Sequence, residues 1–408
     1  MKDLFDMDRK DYNADGKVYA RPSVRAVISR GEEVLLMYSK KYGYYKFPGG
    51  GIEPGESHAD ALAREVKEES GYSVKPETIE EYGRVLRRER GEKGPDEIFE
   101  QENFYYFCEV EDNPGSTKLD AYEAEEGFTP CWVQPFEAHV HNWQQRHSLK
   151  SVEDSEKPYY YEIIWRDEKV LNLVDMEIRS RLRIAKEKKA FEEMGVDGIE
   201  EMLSFVEKTL TAGNSEDIET KKELNYSRFM HTKRVLGWAK RLYEASEDKS
   251  LLRKEDLYIA TVFHDVGRVA ESVEGKPHAV LGEPITRRYL TEIGMDAERI
   301  DYICGLVRHH SDKYRMHEEG LDAGLLLLME ADSLDDMGAA GIVMDCLITK
   351  GRNADADFIN CMDHISRFTK RQQHDNPMVT PAGIRFWNEK TKLVDEFTDS
   401  LRRDLEIG

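Results

Sequence analysis

The sequence predicts an α+β protein of two domains, the first mixed and the second built only of helices. Its 408 residues exceed what one ordinary hydrophobic core organises. Strand-like runs flank one acidic helix in the first part, whereas every long segment after Asn225 shows a helical apolar period. We therefore expect a mixed domain at 1–168, a helical linker at 169–222 and a helical domain at 223–408.

The charge balance limits the classes of partner. Acidic residues outnumber basic ones by 81 to 59, and the formal net charge is −22. Such a surface repels phosphate polymers, so we expect small phosphorylated ligands and no nucleic acid polymer. The chain has no apolar run of membrane-spanning length and no apolar signal core at its start, and its five cysteines are scattered. These features predict a cytoplasmic protein without a membrane partner.

Residues 17–48 predict strands that lead into a glycine turn. The run SVRAVISRGEEVLLMYS has two β-rich halves around residues 30–32, which predicts a hairpin. An earlier stretch, 11–16, imitates the start of a calcium loop, but its twelfth position is Pro22, so we interpret it as a turn. Aromatic residues before the glycines favour core packing, with a base-binding wall as the alternative: Tyr42, Tyr44, Tyr45 and Phe47.

The stretch GGGIEPGESHADALAREVKEESGY (49–72) predicts a glycine turn and one acidic helix. Glu65, Glu68 and Glu69 stand at i, i+3 and i+4 and share a helix face. Like charges at this spacing repel by roughly 2–3 kcal/mol at ~6 Å and an effective dielectric of ~20. A divalent cation such as Mg²⁺ or Mn²⁺ removes that cost, and the alternative is a solvated acidic face.

The same stretch resembles the Nudix box in full. The matching positions are Gly50, Glu56, Arg64, Glu65, Val66, Glu68, Glu69, Gly71 and Tyr72. The resemblance extends over about 20–168. It implies an α/β/α sandwich with a mixed sheet, and Mg²⁺- or Mn²⁺-assisted attack of water on the pyrophosphate of a nucleoside diphosphate derivative.

The resemblance also implies residue roles. Glu65, Glu68 and Glu69 would bind the metal together with the carbonyl of Gly50. Glu65 and Glu69 would carry the catalysis.

Two further features of the first domain follow from the resemblance. An ion pair between Glu56 and Arg64 would brace the loop against the helix. Family members often use an additional glutamate outside the box, and the choice here stays open among Glu97, Glu100 and Glu102, in and beside a charged loop (90–101) that we expect to overhang the site.

The linker at 169–222 is predicted to be helical and strongly charged. Its apolar stripe fits a partner helix or a homodimer contact as well as a plain spacer. The oligomeric state therefore stays open.

The C-terminal half places ligand-type side chains at the ends of apolar helices. His231 lies in a helical segment, His264 and Asp265 follow LYIATVF, and Asp332 ends AGLLLLMEA. An aspartate beside such a run must be paired, metal-bound or exposed, because burying it alone is very costly. Two histidines and two aspartates suit Mn²⁺, Fe²⁺, Co²⁺ or Mg²⁺, and satisfied polar core residues are the alternative.

The order His, His-Asp, Asp resembles the HD superfamily of metal-dependent phosphohydrolases, over about 223–345. The resemblance implies a helical bundle in which His231, His264, Asp265 and Asp332 hold a metal. Asp265 would also take part in catalysis, and Arg268 would hold a substrate phosphate. Histidines between the paired motif and the last aspartate would bind a second metal or the substrate phosphate: His278, His309 and His310.

Together these features predict a bifunctional metal-dependent phosphohydrolase of small nucleotides. The Nudix-like site would cut a pyrophosphate linkage, and the HD-like site a phosphoester or phosphoanhydride. The alternative is that the first domain senses a nucleotide and regulates the second. The sequence names neither the nucleotide nor the HD metal, nor whether the two sites act in succession.

Overall fold

The structure is a computed structural model that describes residues 1–150, 152, 158–211, 218–250, 252–373 and 375–405. It divides into two compact units, Met1–Glu187 and Lys188–Gly408. The first combines β-sheets with helices and the second is helical, so the predicted fold class is confirmed.

The first unit contains two sheets, one of mixed strand direction and one antiparallel. One has the order β1-β7-β8-β2, with β3 also pairing β8, and the other has the order β4-β5-β6, with β9 pairing β5. β1 runs parallel to β7, which is antiparallel to β8. The strands are β1 (Asp3–Asp8), β2 (Lys17–Ala20), β3 (Ser23–Val27), β4 (Ser29–Arg30), β5 (Glu33–Ser39), β6 (Tyr44–Lys46), β7 (Glu80–Gly91), β8 (Gly94–Phe107) and β9 (Thr129–Val133).

Helices cover both faces of the β-sheets. Because side chains alternate along a strand, neighbouring residues of one strand pack in different cores. The helices are α1 (His58–Ser70), α2 (Ala121–Glu126), α3 (Pro135–Ser148) and α4 (Tyr161–Met194). Leu35 packs in the core that contains α1 side chains, whereas Val34 and Leu36 pack in the core with α3 and α4. Successive side chains of a strand point to opposite faces, which produces the α/β/α sandwich.

Local signals in the sequence set the bounds of α1. The Ser57 side chain accepts a hydrogen bond from the Asp60 amide and caps the first turn, and Gly71 ends the helix at φ 79°. Leu62 and Val66 are fully buried beneath the helix. The acidic face therefore points away from this core.

The expectation of an overhanging loop at 90–101 is wrong. β7 and β8 form a long hairpin in which Arg90 pairs with Ile98, so most of that stretch is strand. The three glutamates considered as additional catalytic residues form ion pairs within this hairpin. Glu97 pairs with Lys93, Glu100 with Arg88 and Glu102 with Arg84. Cross-strand pairing of opposite charges thus stabilises a sheet where the charged composition had indicated a loop.

Residues 169–222 do not form a separate linker in this structure. α4 has 34 residues, and Val170, Leu171, Val174 and Ile178 are buried in the core of the first unit. The segment after residue 187 contributes Met194 and α5 side chains to the core of the second unit. The helix α4 is thus buried in the first unit as far as Ile178, whereas Leu182 farther along its apolar stripe is exposed. Residues 212–217 lie outside the described part.

The second unit packs its helices around one large apolar core that includes Trp387. Its helices are α5 (Ile199–Thr211), α6 (Ile218–Ala245), α7 (Lys254–Phe263), α8 (Arg268–Glu274), α9 (His278–Glu292), α10 (Ala297–His309), α11 (Ala323–Asp335), α12 (Gly338–Arg352), α13 (Phe358–Arg367), α14 (Thr369–Gln372) and α15 (Pro381–Leu405). Within the described ranges, no helix combines the length and apolarity that a bilayer crossing requires.

The placement of α4 can be tested through stability. Leu171→Ala should lower the free energy of unfolding of the first unit by ~2–5 kcal/mol, because a fully buried leucine side chain is lost. Met176 on the same helix is 63% exposed, so Met176→Ala should change it by no more than ~0.5 kcal/mol. Hydrogen exchange of peptides from residues 23–39 in increasing urea measures the free energy of unfolding of the first unit in both variants. Equal protection in the two variants would contradict the assignment of 169–187 to this unit.

Candidate functional site

The acidic face of α1 meets β6 and the glycine turn in a buried polar cluster. Glu69 is 2% exposed; its Oε2 accepts a hydrogen bond from the Gly49 amide at 3.1 Å, and its Oε1 lies 2.9 Å from Lys46 Nζ. The same ammonium lies 2.8 Å from Oε1 of Glu123 on α2. Lys46 also lies over the Phe128 ring, with Nζ 4.5 Å from its centroid.

Two buried carboxyl groups, Glu69 and Glu123, share one ammonium in this cluster. Burial raises the pKa of Glu69, with a further contribution from Glu123, although Lys46 opposes it. Burial likewise raises the pKa of Glu65, against the opposing effect of Arg64. Carboxylates in this state fit a divalent cation, which would discharge them.

Arg64 joins the loop to the helix. It makes two 2.8 Å hydrogen bonds to Glu56, and it also donates to Glu65 at 2.7 Å and to the Gly51 carbonyl at 3.0 Å. The predicted pair of Glu56 and Arg64 is thus present as a contact. A bidentate arginine–carboxylate pair fixes orientation as well as distance.

The two remaining box residues proposed as ligands lie at the edge of the cluster. A Cβ atom at Gly50 would lie 2.4 Å from Glu65 Oε2, so a larger residue there would displace the Glu65 carboxylate. The Gly50 carbonyl accepts a hydrogen bond from the Val24 amide at 3.0 Å. Glu68 has a side chain 34% exposed, 3.5 Å from Arg64.

Sequence reasoning missed three charged side chains of this cluster. They are Lys46, Glu123 and Arg25, all buried, and Arg25 donates to the Gly49 carbonyl. Lys46 carried a signal, since it lies two residues after buried Tyr44 on a strand just before the glycine turn and therefore shares its face of the strand. Glu123 carried none, because its segment AYEAEE has the composition of an exposed acidic turn.

A cavity of about 480 Å³ lies in this unit beside the glycine turn. Arg21, one of its lining residues, approaches Gly51 to within 3.7 Å of where a Cβ atom would stand. Three aromatic residues and three arginines share the lining: Tyr19, Phe99, Tyr159, Arg21, Arg87 and Arg90. Of the aromatics before the glycine turn, Tyr44 and Phe47 are buried core residues, as the favoured prediction of core packing had it.

The second unit gathers four histidines and two aspartates, His231 from the middle of α6 and the others from positions at or near helix ends. Asp265 lies at the centre: its Oδ2 is 3.9 Å from His231 Nε2 and 4.0 Å from His264 Nε2. His231 Nε2 is also 3.1 Å from Asp332 Oδ1. The sequence-predicted set of His231, His264, Asp265 and Asp332 therefore lies together.

The other oxygen of Asp265 faces a second pair of histidines. Its Oδ1 is 3.1 Å from His278 Nε2 and 3.7 Å from His310 Nε2, and these two nitrogens are 3.3 Å apart. Oδ1 is buried and has no hydrogen bond of acceptable geometry within the described residues. The described part of the chain contains three groups of residues that could hold a metal ion, and within each group the ligand atoms lie within 4.8 Å of one another. All three groups belong to this centre.

Each histidine is oriented by an acceptor at its other ring nitrogen. His264 Nδ1 lies 2.7 Å from the Thr261 carbonyl, and His310 Nδ1 lies 2.7 Å from the Val307 carbonyl. His231 Nδ1 is 2.7 Å from an Asp335 oxygen, and His278 Nδ1 is 3.2 Å from Glu271. These contacts hold each ring by Nδ1 and direct Nε2 inward, the arrangement in which histidine binds a metal once Nε2 carries no proton.

Burial and charge set the protonation of the centre. Burial lowers the pKa of His264 to about 4, so the ring is neutral at pH 7. Burial would also lower the pKa of His231, but hydrogen bonds to Asp332 and Asp335 outweigh it and raise the pKa to about 10. Although burial acts to raise the pKa of Asp265, the neighbouring His264 and His278 hold it well below its usual range. Ionised oxygens and inward Nε2 atoms thus converge, and a divalent cation would take the place of the His231 proton, so the donor set fits one or two such ions.

Of the remaining residues predicted from the sequence, some lie at the centre and one does not. Arg268 donates to Asp265 Oδ2 at 2.6 Å, so it lies at the centre. His309 does not: its Nδ1 is 2.9 Å from Asp312 and its side chain is 43% exposed. His309 and His310 follow each other at a helix end, so their side chains point in different directions. Lys313 was missed; its Nζ lies 2.9 Å from Asp332 Oδ2.

Comparison with protein-family models identifies both domains. Residues 20–152 match the NUDIX domain and residues 228–337 match the HD domain. The chain is thus a protein of two hydrolase-type domains. In particular, it contains a NUDIX domain followed by an HD domain.

Curated relatives match the first domain only in part. They include the NAD-capped RNA hydrolase NudC of Stutzerimonas stutzeri, 42% identical over 57 residues (14% of this chain and 21% of that protein). The putative ADP-ribose pyrophosphatase YjhB of Bacillus subtilis is 27% identical over 110 residues (26% and 51%). Human 8-oxo-dGDP phosphatase NUDT18 is 46% identical over 55 residues (13% and 17%). The chain therefore spans between a sixth and a half of the length of these relatives.

Solved structures match each domain at low identity. A predicted HD superfamily hydrolase from an uncultured Thermotogales bacterium is 17% identical, with a TM-score of 0.37, and the match covers 52% of this chain and 95% of that one. A NUDIX hydrolase from Nitrosomonas europaea is 23% identical, with a TM-score of 0.24, over 35% and 99% of the two chains.

The neighbouring residues His309 and His310 provide a test of the metal-ligand cluster around Asp265. His310→Gln should lower the amount of Mn²⁺ retained after gel filtration, because an inward nitrogen is lost, whereas His309→Gln should leave it unchanged. Elemental analysis by mass spectrometry measures the retained metal. The same Mn²⁺ content in both variants would contradict the assignment of His310 to the centre.

Proposed function

We propose that this chain is a bifunctional metal-dependent phosphohydrolase of small nucleotides, with one hydrolytic site in each domain. The observation that carries the proposal is the convergence of carboxylate oxygens and inward-directed histidine nitrogens around Asp265. A second crowded acidic cluster, around Glu69, supports a separate site in the NUDIX domain.

In the NUDIX domain we assign hydrolysis of the pyrophosphate linkage of a nucleoside diphosphate derivative. Glu65 and Glu69 would hold Mg²⁺ or Mn²⁺, with Glu68 and the Gly50 carbonyl as further donors. The cation, when bound, supplies polarisation of a phosphoryl oxygen and a water more readily deprotonated. Arg64 orients Glu65 and keeps the loop against the helix. The names of three relatives, which specify NAD-capped RNA, ADP-ribose and 8-oxo-dGDP, support a nucleotide substrate.

Substrate binding in that domain is assigned to the neighbouring cavity. Arg21, Arg87 and Arg90 supply positive charge for phosphates, and the Tyr19 and Phe99 rings supply apolar area for a base. Glu123 is proposed as the additional glutamate outside the box, in place of Glu97, Glu100 and Glu102.

In the HD domain we assign hydrolysis of a phosphoester or phosphoanhydride. His231, His264, Asp265 and Asp332 would hold one divalent cation, and His278 and His310 would hold a second through the shared Asp265. Arg268, at the same carboxylate, would hold a substrate phosphate. The chemistry of the donors suits Mn²⁺, Fe²⁺, Co²⁺ or Mg²⁺.

One observation favours a second candidate function for the NUDIX domain. The Lys46 ammonium lies between Glu69 and Glu123, where it offsets charge that a cation would otherwise offset. A domain of this kind would bind a nucleotide without turnover and regulate the HD domain. Tight nucleotide binding in Mg²⁺ without product formation would favour this sensor over the hydrolase.

The roles of the glutamates can be tested by neutral substitutions. Glu69→Gln and Glu123→Gln should each lower hydrolysis of a NUDIX substrate by ~100-fold or more, since a buried carboxylate of the cluster is lost. Glu102→Gln is the matched control and should retain activity, because Glu102 pairs with Arg84 in the hairpin. Assays would use ADP-ribose, 8-oxo-dGDP and NAD with Mg²⁺ or Mn²⁺. Loss of activity in Glu102→Gln alone would refute the choice of Glu123.

Successive action of the two sites is a separate prediction. If the product of the NUDIX site is the substrate of the HD site, Asp265→Asn should make the intermediate phosphate product accumulate, because the second step loses its central carboxylate. Chromatography of the products from the intact chain measures this. An unchanged product distribution would end the proposal of succession and leave the two separate activities in place.

A further inference from the structure

The HD centre opens into a cavity whose far wall lies beyond the matched domain. The cavity has a volume of about 450 Å³, and His231, Asp265 and Arg268 line its inner end. Its outer end is formed by α12, α13 and α14, which follow residues 228–337 in the chain. A volume of this size suits a small ligand of nucleotide dimensions.

The two ends of the cavity differ in chemistry. Near the centre it presents the guanidinium groups of Arg228 and Arg268, which suit a phosphate. Farther out, the lining contains the apolar side chains of Met344, Ile348 and Phe368. A ligand that fits both ends carries a phosphate at one end and a flat apolar group at the other.

Phe368 is prepared for stacking. Phe368 is 48% exposed, although it lines the cavity, and it stacks on His364 with ring centroids 4.3 Å apart and an angle of 25° between the ring planes. His364 Nδ1 lies 3.2 Å from Asp345 Oδ1, yet neither ring nitrogen makes a hydrogen bond of acceptable geometry within the described residues. A half-exposed aromatic ring beside an unsatisfied imidazole suits a heterocyclic base, which has both a π-face and polar edges.

The backbone holds this wall in place. Thr369, next to Phe368, donates from its hydroxyl to Asp345 Oδ2 on α12 at 2.6 Å. A Cβ atom at Gly341 would lie 2.4 Å from the Asp336 carbonyl and 3.0 Å from Thr369 Oγ1, so glycine permits the close approach of α12 to α14. These contacts fix the position of Phe368 relative to the centre.

We infer that α12–α14 form the nucleoside subsite of the HD centre, with the base against Phe368 and the phosphate directed to Arg228 and Arg268. The inference rests on the proposed function of the HD domain and deepens it to nucleotides with a single base at one end. Phe368, Met344 and Ile348 would then decide affinity for the base, while Arg228 would contribute to every phosphate-bearing ligand.

The test compares binding of AMP with binding of ribose 5-phosphate, which lacks the base. Titration calorimetry of the full chain with Mn²⁺ present measures both. Phe368→Ala should weaken AMP binding by ~5- to ~100-fold, the range that loss of one base–aromatic stack produces, and should leave ribose 5-phosphate unchanged. Phe358→Ala is the matched control, since Phe358 is 72% exposed on α13 outside the cavity lining, and it should change neither.

Three outcomes would overturn the subsite. They are equal affinity of the unmodified chain for AMP and ribose 5-phosphate, an equal loss for both ligands in Phe368→Ala, and the same loss of AMP binding in Phe358→Ala. Failure of the proposed function is a different result. The chain would then bind AMP in a base-dependent way, but no nucleotide would be hydrolysed in a reaction that depends on Asp265. Circular dichroism of each variant verifies that it is folded.

Discussion

The second unit depends on one constraint, which is that buried acceptor atoms cannot face one another without a cation. Asp265 directs one oxygen toward His231 and His264 and the other toward His278 and His310. In a proton-free centre these lone pairs repel, and burial removes the water that would otherwise separate them. A core that keeps such a group at its centre is suited to a divalent ion.

The rest of the helical unit maintains this arrangement. Carbonyls at the ends of α7 and α10 hold the Nδ1 protons of His264 and His310, and Asp335 holds that of His231. Arg234 in turn donates to Asp335 at 2.9 Å. Because every ring is held from behind, the inward nitrogens need little rearrangement when a cation binds, and the binding energy is not spent on ordering the ligands.

The NUDIX domain meets the same constraint differently. There the buried carboxylates of Glu69 and Glu123 share one ammonium, from Lys46, and the Gly49 amide donates to Glu69. The two domains therefore place their charge in different ways, one around histidines and one around a lysine. A metal cluster alone lacks a surface able to distinguish one nucleotide from another. The cavity wall formed by α12–α14 supplies such a surface in the HD domain, and the cavity lined by Arg21 supplies one in the NUDIX domain.

The sequence by itself determined the fold class and the course of α1, and its resemblance to the HD superfamily implied that His231, His264, Asp265 and Asp332 lie together. Local rules suffice for the first two, since helix spacing places Glu65 and Glu69 on one face and apolar period distinguishes strands from helices. Only the tertiary structure decided that Lys46 and Glu123 join Glu69, that His310 turns inward while His309 does not, and that α4 packs in the first unit. The physical reason is that these contacts join residues distant in the chain, and their geometry follows from packing, which no short stretch of sequence encodes.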